Sequence, residues 1–240
     1  MVVIKYKAAG DMSIVVEFEN EISEKVNSKV RSMCLAIEKS MLTGIEEVIP
    51  TYRSLLVNYN PLEIRGDSLI EKLKDIENRL EEIKIPKPKV VEIPTLYGDD
   101  FGPDLKFVAN YNNLSIEEVI KIHSRGKYLI YMLGFTPGFP YLGGMSEKIA
   151  TPRLENPRTR IPAGSVGIAG SQTGIYPVES PGGWRLIGRT PLKLFNPDHQ
   201  PPFLLQAGDY LKFTAIDEEE FYRIKDQVEK NQYHVKTSLL

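Results

Sequence analysis

The sequence predicts a two-part α+β chain, with a small amino-terminal unit of helices on a sheet followed by a β-rich barrel or sandwich. Three observations carry this. Apolar residues recur at steps of three and four over two long stretches of the first third. The run Pro86-Lys87-Pro88-Lys89 then breaks any regular element, because two prolines spaced by lysines favour an extended, solvated connection. Beyond it, short apolar runs alternate with Gly and Pro turns. The expected boundaries are residues 1–85 for the first domain, 86–89 for the linker and 90–240 for the second.

Taken in order, residues 2–7 and 13–18 read as strands joined through Ala8-Ala9-Gly10-Asp11. Ile22, Val26, Val30, Met33, Ile37 and Met41 lay one apolar stripe along a helix that Thr43-Gly44 should end. Ile45–Ile49 and Arg53–Tyr59 read as strands. Leu69, Leu73, Ile76, Leu80 and Ile83 mark a second helix, with Ser68 and Glu71 as its capping box. After the linker come a strand at Val90–Leu96, short helices at Asp104–Tyr111 and Ser115–Ser124, the latter with a Ser115/Glu118 box, and an apolar strand at Lys127–Leu133. Further strands are expected at Gly164–Ala169, Gly174–Val178, Arg185–Gly188, Leu192–Phe195 and Tyr210–Ile216, then a helix from Asp217 to about Asn231 and a frayed tail.

With 240 residues, 30 basic against 32 acidic, the net charge of −2 gives no reason to expect nucleic acid or an acidic membrane surface as a partner. No run approaches a membrane span and the amino terminus lacks a secretory pattern, so a soluble, cytoplasmic chain is expected. The single cysteine, Cys34, falls on the helical stripe and reads as a core thiol.

Gly134–Phe195 holds most of the glycine and the only tryptophan, Trp184. Within it, Met145–Phe195 carries Lys148, Arg153, Arg158, Arg160, Arg185, Arg189 and Lys193 against Glu147, Glu155 and Glu179, a local charge of +4 in a chain of −2. Arginine forks beside Gly-rich backbone suit an anionic small ligand; the same residues also suit a solvated exterior or a subunit interface. Ser180-Pro181-Gly182-Gly183-Trp184 and the aromatics Phe135, Phe139 and Tyr141 could wall a pocket or plug barrel corners, and composition fits corners better. His123, His199 and His234 are too scattered for a metal cage. His123 ends a helix, where the dipole favours its positive form; it either caps that helix or moves protons. Ser165 and Ser171 lack a nucleophile elbow, and no phosphate-binding loop is present.

The stretches GFTPGFPYLGG, PRLENPRTRIPAGSVGIAG, QTGIYPVESPGGW and LIGRTPLKLFNP, with EIPTLYGDDFGPDL and EEVIKIH before them, closely resemble the family of B-type subunits of 5-oxoprolinase. That family also takes in the Kip-type inhibitors of sporulation kinase A and proteins labelled allophanate hydrolase subunit 1. The resemblance covers nearly the whole chain. It implies a small amino-terminal α/β sandwich domain and a carboxy-terminal cyclophilin-like β-barrel.

The resemblance further implies a non-autonomous subunit of an ATP-dependent 5-oxoprolinase. With a C-type, cyclophilin-like partner it would phosphorylate the lactam carbonyl of 5-oxoproline, and an A-type partner would open the ring to glutamate. ATP with magnesium would be shared with the partner, and no metal cage or covalent cofactor is expected in this chain. The alternatives are inhibition of a sensor histidine kinase and, third, a carboxyltransferase-like part in urea or allophanate metabolism.

Carried over residue by residue, the motif matches His123, Phe135, Phe139, Arg153, Arg158, Ser165, Gln172, Tyr176, Pro181, Gly182, Gly183 and Trp184. Of these, Arg153 or Arg158 is expected to hold a carboxylate or phosphate. Gln172 and the Gly182-Gly183 amides would orient the lactam, and His123 would move protons. Pro140-Tyr141 departs from the Ala-Tyr of many relatives, in the direction of the Kip-type proteins.

Overall fold

The computed structural model describes residues 4–240, so Val2 and Val3 of the expected first strand lie outside the described residues. The chain separates into two compact units, one ending at Lys87 and the other running Pro88–Leu240. In the first, β1 (Lys5–Ala8), β2 (Ser13–Glu17), β3 (Ile45–Pro50) and β4 (Ser54–Tyr59) form an antiparallel sheet in the order β1-β2-β4-β3. Alternation along β2 and β4 turns Ile14, Val16, Leu55, Val57 and Tyr59 inward. The helices α1 (Glu24–Ser40) and α2 (Gly66–Glu77) supply Val26, Val30, Met33, Ile37, Leu69 and Leu73 to the same core.

Both helix ends differ from expectation. α1 is capped by Ser23, whose Oγ accepts from the Val26 amide at 3.3 Å, so Ile22 lies outside it and is exposed. It stops where Met41 turns left-handed (φ 48°), before Thr43-Gly44. α2 begins at Gly66, which puts Ser68 inside the helix rather than at its N-cap, and the Ser68 amide bonds to the carboxylate of Asp67. Cys34 is half-buried beside Glu38, and burial raises its thiol to about 12.

The second unit contains β5 (Lys89–Tyr97), α3 (Leu105–Tyr111), α4 (Ile116–Arg125), β6 (Tyr128–Leu133), β7 (Pro140–Gly143), β8 (Arg158–Ile161), β9 (Ser165–Ala169) and β10 (Gln172–Ile175). It is completed by β11 (Ser180–Gly182), β12 (Arg185–Arg189), β13 (Tyr210–Ala215), α5 (Glu218–Glu229) and β14 (Thr237–Leu239). Seven strands follow the path β10-β9-β12-β5-β13-β6-β7, and the two ends, β10 and β7, lie beside each other, so the sheet nearly closes into a barrel. Ile93, Ile130, Val166, Ile168, Ile187, Leu211 and Phe213 fill its interior, with Leu105, Val108, Val119 and Ile224 packed on from the helices. β8 and β11 form a separate two-stranded ribbon.

The Ser115/Glu118 capping box on α4 is present with both hydrogen bonds. Leu192–Phe195 is not a strand: Leu192 and Leu194 are buried in an irregular segment. Expected at Gly174–Val178, β10 instead starts at Gln172 and ends at Ile175. The tail is paired rather than frayed, with Thr237–Leu239 antiparallel to β5.

Candidate functional site

The strand β6 delivers the chain into a tight loop in which the Gly134 amide bonds to the Phe139 carbonyl at 3.1 Å and the Phe139 amide to the Thr136 carbonyl at 3.0 Å. Two left-handed residues make the turn, Phe135 (φ 65°) and Gly138 (φ 82°). Phe135 carries steric strain there that Gly138 does not. The result places Phe135 outward, 70% exposed, and Phe139 inward.

Phe139 is the hub of an aromatic cluster. Its ring meets Phe135, Tyr141, Tyr176 and Trp184 edge-on, with centroids 5.4–5.8 Å away, the geometry that aromatic quadrupoles favour. These five rings, with Arg153, Gln172, Pro181, Gly182 and Gly183, enclose a cavity of about 290 Å3. A Cβ on Gly182 would collide with the Tyr176 hydroxyl, so the close approach of β11 to that ring requires glycine. Burial raises the Tyr176 pKa, which keeps its hydroxyl neutral and able to hydrogen-bond.

Nine of the twelve expected site residues therefore converge on one cavity: Phe135, Phe139, Arg153, Gln172, Tyr176, Pro181, Gly182, Gly183 and Trp184. His123, Arg158 and Ser165 do not line it. Arg153 is exposed at the rim and makes no ion pair with a described residue. Arg158, by contrast, is clasped by Asp104, with Nη1 2.9 Å from Oδ2 and Nη2 3.0 Å from Oδ1. Asp104 also accepts from the Leu186 amide at 2.7 Å. Arg158 thus braces β8 against β12 and has its charge already matched.

His123 is wholly buried. Its Nε2 lies 2.8 Å from the Thr173 hydroxyl, which itself donates to the Gly167 carbonyl at 3.0 Å, so Nε2 carries the proton. Nδ1 is left to accept from the Tyr97 hydroxyl at 2.7 Å. Burial pulls the imidazole down to about 3, which overturns the expectation of a positive, dipole-favoured form. Within the chain this histidine fixes β10, the strand that presents Gln172, and has no free nitrogen to exchange a proton. Ser165 is also fully buried, its Oγ without a partner.

Asp104 was not among the expected residues. The signal for it was indirect: a segment with surplus arginine needs a buried carboxylate from elsewhere in the chain, and none of its own three glutamates sits among apolar residues.

A family model described as carboxyltransferase domain, subdomain C and D, matches residues 4–205. The chain belongs to that family. It is 50% identical over 228 residues to the B-type subunit of 5-oxoprolinase from Bacillus subtilis (strain 168), covering 91% of this chain and 95% of the relative. It is 40% identical over 209 residues to the corresponding 5-oxoprolinase subunit of Escherichia coli O157:H7, covering 87% and 94%. The resemblance carried by the motifs is thereby borne out. Among solved structures, that of TTHA0988 superposes with a TM-score of 0.77 at 35% identity, over 85% of this chain and 40% of that one. The mixed α/β architecture with a barrel-like sheet is the architecture of this family.

Proposed function

We propose that this chain is a partner-dependent subunit of an ATP-dependent 5-oxoprolinase, and that the Phe139 cavity receives the lactam of 5-oxoproline. The observation that carries the reading is the pairing, in one cavity, of an aromatic wall with an unmatched arginine at its rim. 5-Oxoproline is a small five-membered ring with one carboxylate. The apolar ring suits the faces of Phe139 and Trp184, the carboxylate suits Arg153, and a primary carboxamide such as Gln172 can both donate to and accept from a lactam. The Gly182-Gly183 backbone closes the cavity without side chains.

When bound, ATP supplies the phosphoryl group that activates the lactam carbonyl. Among the described residues no group of three or more His, Cys, Asp or Glu side chains is placed to hold a metal ion. The lining of the Phe139 cavity holds no carboxylate, so it does not fit a magnesium site, which this reading leaves to the C-type partner. The chain's own part is to bind and orient the lactam and to keep water from its reacting face. His123 acts only through the placement of β10.

The test is steady-state kinetics in the complex assembled with C- and A-type partners. Arg153→Ala is expected to raise KM for 5-oxoproline at least about tenfold, the scale of one lost charge-assisted hydrogen bond, with a smaller change in kcat. Unchanged KM in both Arg153→Ala and Gln172→Ala would place the substrate elsewhere.

A further inference from the structure

The carboxy-terminal unit has a second cavity, of about 320 Å3, that shares no lining residue with the first. One wall is aromatic: Phe101 lies 4.8 Å from Phe221 and 6.5 Å from Tyr222, edge to face in both cases. The other is cationic, built from Arg189, Lys193 and Lys225, with Glu229 as its one acid. The lining is therefore net +2 in a chain that is net −2.

Arg189 shares with Arg153 the lack of a described carboxylate partner, but it is half-buried where Arg153 is exposed. Arg158 is paired with Asp104 and Arg160 with Glu179, but no described carboxylate lies within ion-pair distance of Arg189. Its guanidinium sits 5.4 Å from the Phe101 ring centroid, and its Nε is buried with no hydrogen-bond partner. Ser165, directly across the β9–β12 pairing, also has a buried Oγ without a partner, but it does not line the cavity. Folded chains rarely leave a buried guanidinium nitrogen unpaired unless something else satisfies it. Burial also lowers the Arg189 pKa, as desolvation of an unmatched cation must. Glu218, Glu219 and Glu220 crowd the first turn of α5 and would repel an extended polyanion, which leaves a small one.

We propose that this cavity binds a nucleotide, a phosphate ester whose sugar carries a planar base, with Arg189 and the two lysines on the phosphate and the exposed ring of Tyr222 against the base. The charge selects a dianion over a single carboxylate. A guanidinium fork and aromatic surface together suit a nucleotide better than either a free anion or a neutral base. This binding does not depend on the lactam reading, because it is a property of this chain without partners or turnover.

Calorimetric titration of the full chain with ADP, adenosine and inorganic phosphate tests it. ADP is expected to bind, phosphate to compete with it, and adenosine to bind more weakly. Arg189→Met should weaken ADP at least about tenfold, the scale of one charge-assisted hydrogen bond. Lys225→Ala, on an exposed helix face where folding is not at stake, should weaken it by a smaller factor, and Arg160→Ala not at all. The proposal is overturned if ADP does not bind or if adenosine binds as tightly. It is equally overturned if both cavity variants retain full affinity, or if Arg153→Ala abolishes binding while Arg189→Met does not.

Discussion

At the scale of the residue, His123 gives the clearest measurable consequence. Its folded pKa, about 3, lies below the ordinary value of 6.5, so the unfolded chain binds the extra proton first as pH falls. Its contribution to stability is fully present above pH 6.5 and is lost progressively below it, with a slope of up to about 1.4 kcal/mol per pH unit. Denaturant titrations between pH 6.5 and 5 are expected to show that slope in the wild type and to lose most of it in His123→Gln. An equal slope in both would mean that the imidazole is not held neutral. Gly182→Ala is a second residue-scale test: with its Cβ driven onto a packed tyrosine, it should lower stability by about 1–3 kcal/mol in urea unfolding. Residue type was legible at this scale. The aromatics, Arg153 and Gln172 declare their chemistry in the sequence, and nine of the expected twelve meet. What could not be read was which arginine is already matched, because the partner of Arg158 lies 54 residues away.

At the scale of the element, the helices and long strands were legible because apolar period and caps are local. Val26 to Ile37 define α1, and the Ser115/Glu118 box marks the start of α4. The short strands β7, β8 and β11 were not foreseen, since Pro140, Arg158-Thr159-Arg160 and Ser180-Pro181-Gly182 show no alternation and pair only because the barrel wall and ribbon bring partners to them. The start of α2 was misplaced because Ser68 and Glu71 have box spacing, but the helix already runs from Gly66, so Ser68 is not at its N-cap. The Asp104–Arg158 pair ties α3 to β8 and, through Leu186, to β12. The Asp104 side chain is 10% exposed and that of Arg158 30%, so the pair is partly sheltered from solvent screening. Asp104→Asn is expected to cost about 1–3 kcal/mol in denaturant unfolding, with Arg158 left sheltered and unmatched. A change within about 0.3 kcal/mol would reduce the pair to a surface contact.

At the scale of the whole molecule, the two units have separate cores, and the division after Lys87 leads to the expectation that residues 88–240 fold without the first unit. Cooperative unfolding of that fragment, with Trp184 emission matching the full chain, would bear this out; a molten fragment would not. No helix among the described residues is long and apolar enough to cross a membrane. Two cavities of the second unit differ in chemistry, an aromatic one with Arg153 at its rim and a cationic one around Arg189. On the proposed reading the aromatic cavity binds and orients the lactam, and the reaction is completed with partners. The most direct measurement is glutamate formation from 5-oxoproline and ATP by this chain mixed with its C- and A-type partners, leaving out each component in turn. Glutamate is expected only when all three are present. Undiminished turnover without this chain, or none from folded and assembled components, would contradict its role as a 5-oxoprolinase subunit, and the latter result would turn attention to inhibition of a histidine kinase through the exposed Phe135 loop.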